Sequence, residues 1–394
     1  MDTGEIIPGL PDDLGLRCLA RVSHGLHGVL ETVCKRWRDV IRSPEYAALK
    51  SLLGWSGDWI FVLTGSSSNR QNPPNWIAYD PLHDAWHALP PIPALDYSHL
   101  HHRGFSSLSV AGRFLVIGGS FSALDSPLAS PGSTTNLVFW FDPFHRRWKT
   151  LASMHTARSH FACSVISGKV FVAGGRNPSF PRGMPLAEVY DPLTNRWDEL
   201  PAMPESQSDC VGLSYKGRFY VLSDQVGLSE TNISQVFNPC SNSWCTHNQA
   251  WPFSRAMQFG IQVTEDDKVY AIADSGTSVI KTWMDDHDEW RSVSVIPPVV
   301  IPGHARPLET FSYGFTALRG KLYVLGGNVL RWQEFGLGSY SIVKLNVVRV
   351  CDPKAQPPQW KEVSPMCTGA AGSIIGCASL EVSFMGCGVH LAQS

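Results

Sequence analysis

The chain has 394 residues, with 32 Lys and Arg against 34 Asp and Glu, a net charge of −2, and 43% hydrophobic residues. That length permits a large core and two domains, and the near-neutral balance excludes the strong positive field that nucleic acid or an anionic membrane would require. Ten scattered cysteines with no Cys-x-x-Cys pair argue against a zinc ribbon, and no run of about 18 apolar residues is present to span a bilayer.

The first residues, Met1-Asp2-Thr3-Gly4-Glu5, lack a cationic start followed by a long apolar run, so no signal peptide is expected. Free thiols then fit the cytoplasm or the nucleus. A short helix is expected after Pro11, with Asp12 and Asp13 at its positive end and Leu14, Leu16 and Leu19 apolar. Leu30, Val33, Cys34, Trp37, Val40 and Ile41 recur at helical spacing and predict one helix with one apolar stripe. Ser43-Pro44 reads as a stop and restart, Ser43 capping and Pro44 in the first turn. Three such helices bury little surface alone, so this module is expected to lean on a partner.

From Trp55 onward a different unit recurs six times, about fifty residues apart. A strand-like run ends in small residues: Leu63-Thr64-Gly65, Ile117-Gly118-Gly119, Ala173-Gly174-Gly175, Leu222-Ser223-Asp224, Ile272-Ala273-Asp274 and Leu325-Gly326-Gly327. Next comes a turn: Tyr79-Asp80-Pro81, Phe141-Asp142-Pro143, Tyr190-Asp191-Pro192, Phe237-Asn238-Pro239, Trp283-Met284-Asp285 and Cys351-Asp352-Pro353. A Trp follows each turn, at Trp86, Trp148, Trp197, Trp244, Trp290 and Trp360. Long-period repeats of short strands predict radially repeated four-stranded sheets, with the Trp filling space between them.

Units two to six each begin with a further strand, expected at Phe105–Val110, Phe161–Val165, Val211–Tyr215, Gly260–Val263 and Gly314–Leu318. Unit one has none before Trp59. An unassigned strand, Ile374–Leu380, stands at the other end of the chain, and the expectation is that it completes unit one and closes the ring.

The double Gly, Tyr-Asp-Pro and Trp resemble the kelch repeat over residues 55–385. The match is strong in units two and three and weaker in four and five, where Gly-Gly has become Ser223-Asp224 and Ala273-Asp274. Leu10-Pro11-Asp12-Asp13-Leu14 followed by Val33-Cys34-Lys35-Arg36-Trp37 resembles an F-box over residues 1–50. The whole chain thus resembles the plant F-box/kelch-repeat family, with 386–394 as a tail. The resemblance implies a mainly β fold: a six-bladed kelch propeller with a small helical F-box.

It also implies a non-catalytic recognition subunit of a Skp1–cullin–F-box (SCF) ubiquitin ligase. Leu10, Pro11, Leu14, Val33, Cys34 and Trp37 fall at the Skp1-binding positions, reaching a cullin through that adaptor. The loop His24-Gly25-Leu26-His27-Gly28 departs from the pattern and is expected to alter adaptor affinity. Kelch proteins commonly bind a protein target through loops after the double Gly and before the innermost strand. By position these are Arg103, Arg158, Arg176, Asn177, Gln207 and Arg255. Several arginines around one channel would favour an acidic target. The loops Ser66–Asn75, Phe121–Thr135 and Asn328–Ser339 are further candidates.

Catalytic readings find little support. His99, His101 and His102 cluster without accompanying carboxylates or cysteines, and read as a solvated loop. Asp285-Asp286-His287-Asp288-Glu289 reads the same way. An iron site of the Glu-x-x-x-Asp-x-x-x-His kind, known in some plant kelch proteins, would need a His where Leu213 follows Glu205 and Asp209. No P-loop, Gly-x-Ser-x-Gly or His-Glu-x-x-His motif occurs. Neither a cofactor nor a metal is expected. A kelch-type enzyme, a metal-dependent specifier protein and a non-ligase scaffold are the alternatives.

Overall fold

A computed structural model describes residues 5–54, 57–65, 75–93, 100–123, 133–143, 145–223, 234–247, 260–264, 266–274, 278–284, 287, 289–300, 310–332 and 340–381. The chain opens with four short helices: α1 (Asp12–Ala20), α2 (His27–Val33), α3 (Lys35–Ile41) and α4 (Pro44–Leu52). Among the described residues no helix is long and apolar enough to cross a membrane.

Helix α1 begins where Pro11 predicts, with Asp12 and Asp13 in its first turn. Ser43 caps α4, its hydroxyl accepting from the Tyr46 N–H at 3.2 Å, and Pro44 opens the helix. The single helix expected across Leu30–Ile41 is instead two. Cys34 sits between them in extended backbone (φ −159°, ψ 164°), and its sulfur accepts the Trp37 N–H. The apolar stripe is therefore divided. Ile41 is buried with Leu19, Ala20, Tyr46 and Ile6, and Leu30, Trp37 and Val40 pack against them, while Val33 and Cys34 are exposed.

Six four-stranded antiparallel sheets follow. Sheet 1 joins Trp59–Thr64, Trp76–Asp80 and Ala85–Ala88 to the C-terminal Ile374–Leu380. That last strand pairs in the expected place, Ile60 opposite Ser379 and Leu63 opposite Gly376. Sheets 2, 3 and 4 run from Ser106 to Thr150, Ala162 to Leu200 and Cys210 to His247. Sheets 5 and 6 run from Ile261 to Val295 and Gly314 to Val363.

The innermost strands touch one another in a closed cycle, from sheet 1 through sheet 6 and back. Between neighbours lie separate apolar cores. Phe61, Trp76, Phe114 and Phe141 fill the space between sheets 1 and 2, and Ile60, Val62, Leu325 and Val348 that between sheets 1 and 6. The other four junctions are filled alike. This is the arrangement of a β-propeller, and the C-terminal strand covers the edge of Trp59–Thr64 where it closes the ring.

The repeated residues explain the repeat. The Asp of each Asp-Pro turn accepts backbone N–H groups just downstream: Asp80 from Leu82 at 3.0 Å, Asp191 from Leu193 at 2.9 Å, Asp352 from Lys354 at 3.0 Å. The Trp does more than fill space. Its indole N–H donates to the neighbouring unit: Trp148 to Pro90 O, Trp197 to Ala152 O, Trp244 to Pro201 O and Trp86 to Ser364 O, all within 2.7–2.8 Å. Gly174 and Gly175 both have positive φ. A Cβ on Gly174 would meet the Cys210 sulfur of sheet 4 at 2.9 Å, and one on Gly175 would meet Ser159 O at 2.7 Å.

Two accessory three-stranded sheets were not expected. Leu100–Arg103, Ser120–Ala123 and Ser133–Thr134 form one beside sheet 2. Thr310–Phe311, Asn328–Trp332 and Tyr340–Lys344 form the other beside sheet 6. The described ends of the expected loops Phe121–Thr135 and Asn328–Ser339 are thus strands; Ser66–Pro74 lies outside the described residues.

Candidate functional site

In an antiparallel meander the first and third turns lie at one end of the sheet. The second connection and the link onward lie at the other. The Gly-Lys and Asp-Pro turns therefore share one face of the ring, and the double-Gly loops share the opposite face. The helical module is held on the first of these.

The seat is polar and buried. The Ser23 hydroxyl donates to Asp80 Oδ2 at 2.5 Å and lies 3.2 Å from His87 Nε2. Because its one proton goes to Asp80, the ring nitrogen of His87 is the donor in the second contact. His83 bonds Asp80 Oδ2 through Nδ1 at 2.8 Å and meets Arg21 O at 3.3 Å. From the Asp-Pro turn of sheet 2, Arg146 donates to Gly25 O, and to Ala88 O at 2.8 Å. Asp80 therefore serves both its own turn and the module.

The loop expected to alter adaptor affinity turns inward to this seat. His24, Gly25 and His27 are buried. The His24 ring lies 4.8 Å from that of His27 and 6.2 Å from that of Trp59, and His87 stacks on Trp59 at 5.8 Å. Lys50 is fully buried on α4 and donates to Ala20 O at 2.9 Å and Val22 O at 2.5 Å. Burial pulls its ammonium down to about 8 against the opposing pull of Asp80. Burial, and then the charge of Lys50, holds His24 well below the ordinary histidine value.

The module's other side is apolar and exposed. Pro11 is exposed, Leu14 is 45% exposed, Val33 58% and Cys34 is open. Arg36 pairs with Asp12 at 2.7 Å, and the Trp37 indole donates to Ile6 O at 2.6 Å. These two bonds bring the α2/α3 break alongside the Leu10–Pro11 turn. Leu10 and Trp37 are half-buried and hold this corner together, whereas Pro11, Leu14, Val33 and Cys34 present surface. Leu26 and Val29 are also exposed, at 45% and 62%. The sequence reading missed them. They carry no mark in the sequence beyond lying in or beside the atypical loop His24–Gly28.

On the double-Gly face the expected arginines separate. Arg158 is a structural residue, not a surface contact. It is fully buried, bonded to Glu188 at 2.5 Å and to Gly174 O and Leu186 O at 3.0 and 2.9 Å. Asn177 spends its side chain on backbone, donating to Ala157 O of the neighbouring loop and accepting from Ser179 and Phe180 N–H of its own. Gln207 is half-buried, its backbone carbonyl accepting from Gly175 N–H at 2.9 Å. Arg176 remains partly open at 43% and pairs with Asp209 at 3.4 Å. Arg103 is exposed. Burial, then the charges of Arg176 and Arg103 against the opposing pull of Asp209, lower the His160 pKa. Arg255 lies outside the described residues, as does His99.

His102 is no solvated loop residue. It is buried, stacked between Phe105 and Phe121 at 4.5 and 4.4 Å, and bonded to Gly118 O at 2.9 Å. Burial depresses it to about 4. Among the described residues no group of three His, Cys, Asp or Glu is placed to hold a metal ion. Of the acidic run, Asp285, Asp286 and Asp288 lie outside the described residues.

Comparison with known proteins follows this division. The F-box domain model matches residues 7–47, and the Kelch motif model residues 157–204, which contain sheet 3. The Arabidopsis thaliana F-box/kelch-repeat protein At1g16250 is 55% identical over 380 residues, covering 96% of this chain and 97% of the relative. The chain belongs to the F-box/kelch-repeat family. F-box/kelch-repeat protein SKIP30 of the same plant is 29% identical over 384 residues, again covering 96% of this chain and 97% of the relative. The F-box match thus takes in helices α1 to α3 and the start of α4, and their seat on sheets 1 and 2 joins the F-box to the kelch part of the chain.

Proposed function

We propose that this F-box/kelch-repeat protein is the substrate-recognition subunit of an SCF ubiquitin ligase, without catalytic residues of its own. Pro11, Leu14, Val33 and Cys34 bind a Skp1-type adaptor, with Leu10 and Trp37 shaping the surface, and the adaptor leads to a cullin. The propeller holds a protein target on the double-Gly face. No nucleic acid, membrane, metal or cofactor takes part, and the place of action is the cytoplasm or the nucleus.

The observation that supports this most is the two-sidedness of the F-box. Its polar side is spent on Asp80, His83, His87 and Arg146, while Pro11, Leu14, Val33 and Cys34 on the other side stay exposed. An exposed apolar set of this kind marks a partner surface. The rim opposite keeps Arg103 and Arg176, which favours an acidic segment in the target. Holding ligase and target on opposite faces of one rigid ring raises the local concentration of target lysines near the charged ubiquitin.

The test is coprecipitation of Skp1 and cullin with the full chain. Pro11→Ala with Leu14→Ala removes two exposed anchors, worth about 2–4 kcal/mol at a hot spot, and is expected to abolish capture. Undiminished Skp1 capture by this variant would overturn the assignment of that surface.

A further inference from the structure

The F-box could have been tethered by a linker alone. Instead its junction with the propeller is crowded with ionisable groups around the buried carboxylate of Asp80, with Asp142 and His145 in the same sheet 2 turn as Arg146. Each packed element contributes. The segment after α1 brings Arg21 and Ser23, the short 3-10 turn brings His24, α2 brings His27, and α4 brings Tyr46 and Lys50. From sheet 1 come Asp80, His83 and His87, and from the turn of sheet 2 comes Arg146. The ring of His27 is itself bonded to Tyr46 Oη at 3.1 Å, and that hydroxyl lies 2.9 Å from Leu19 O. Asp80 already accepts from Ser23 and His83.

The packing leaves no slack. A Cβ on Gly25 would collide with the His87 ring. Lys50 is fully buried and His24 is 5% exposed, so a further positive charge here has little solvent to screen it.

We propose that this junction is a proton-operated clamp, closed at neutral pH and loosened under mildly acidic conditions when His24 and His87 become charged, so that the adaptor end no longer holds a fixed orientation to the target face. Both rings have folded-state pKa values below the ordinary histidine value, His24 through burial and Lys50, His87 through burial and Arg146 against the opposing pull of Asp80. The undocked state therefore binds more protons as the pH falls below about 6.5. The stabilisation is fully present above that value and is lost as the pH drops through it towards the docked values. Lys50, drawn down to about 8, sets a constant strain below that pH on which the histidine charges add.

Hydrogen exchange of the full chain at pH 7.5 and 5.5, corrected for intrinsic rates, reads the clamp directly. Amides of residues 21–28 and 82–88 are expected to lose protection several-fold at pH 5.5, while Val170–Ala173 in the core of sheet 3 keep theirs. His24→Gln with His87→Gln should abolish the difference between the two pH values. Equal protection of wild type at both values would overturn the proposal, and so would an acid-induced loss that persists in the histidine variant. Should that variant be unprotected already at pH 7.5, His87→Gln alone decides. Removing one of the two titrating rings should shrink the loss between pH 7.5 and 5.5, and a loss as large as in wild type would refute the clamp.

Discussion

Replacing Arg158 by Met tests whether this arginine builds the ring or serves a target. Its guanidinium is wholly enclosed and satisfies three acceptors at once: Glu188 Oε1, Gly174 O and Leu186 O. Glu188 is 2% exposed and would keep only the N–H groups of His155 and Thr156, at 2.7 and 3.1 Å. A buried carboxylate left without its counter-ion costs about 3–5 kcal/mol. In a chain of this size that lowers the melting temperature by roughly 5 °C. Thermal unfolding followed by near-ultraviolet circular dichroism would report it, the nearby Trp197 supplying signal. Adding Glu188→Leu removes the stranded charge, so the double variant should melt above the single one. A single variant melting within about 1 °C of wild type would refute the reasoning and return Arg158 to the list of surface contacts.

Trp148→Phe keeps most of the apolar ring and loses only the bond to Pro90 O, so a loss of about 1 kcal/mol by chemical denaturation is expected; no change would mean that the repeated indole bond adds nothing. Ending the chain at Gly372 removes the strand paired with Trp59–Thr64 and exposes that edge, so light scattering should detect aggregation; a monomeric truncation with unchanged melting would contradict closure by the C-terminal strand. Burial pushes Cys163 and Cys210 up to about 12, which leaves almost no thiolate at pH 8. Alkylation mapped by mass spectrometry should accordingly mark the exposed Cys18, Cys34, Cys240, Cys245 and Cys367 and spare those two; rapid labelling of Cys163 would contradict its placement.

The features legible in the sequence are those imposed by local chemistry or by a counting argument. Asp-Pro turns, paired glycines and Ser43-Pro44 each satisfy a backbone need within a few residues, so their spacing announces them. The closing strand was legible because unit one lacked a strand and residues 374–380 had no partner. What failed depended on long-range contacts. Helical spacing runs through Cys34 unbroken, because a one-residue break does not disturb the apolar pattern enough to register. Arg158 and Arg176 occupy neighbouring loop ends and look alike in sequence. Only Glu188, thirty residues on, makes one of them a core residue. The loop His24–Gly28 looked like a flaw in an F-box because its partners, Asp80, His87 and Arg146, lie in units one and two. The accessory strands lie in segments without clear alternation, where pairing with Leu100–Arg103 and Thr310–Phe311 decides.

The central claim is that one chain presents a ligase-binding surface and a target-binding face as a rigid unit. Proximity labelling in plant cells, with and without proteasome inhibition, tests it most directly when wild type is compared with the Pro11→Ala, Leu14→Ala variant. The account predicts that wild type labels Skp1 and a cullin, together with neighbours that accumulate only when the proteasome is inhibited. The variant should lose Skp1 and the cullin and retain those neighbours without inhibition. Neighbours whose abundance responds to neither the inhibitor nor the variant, or a wild-type protein that never labels Skp1, would contradict the account.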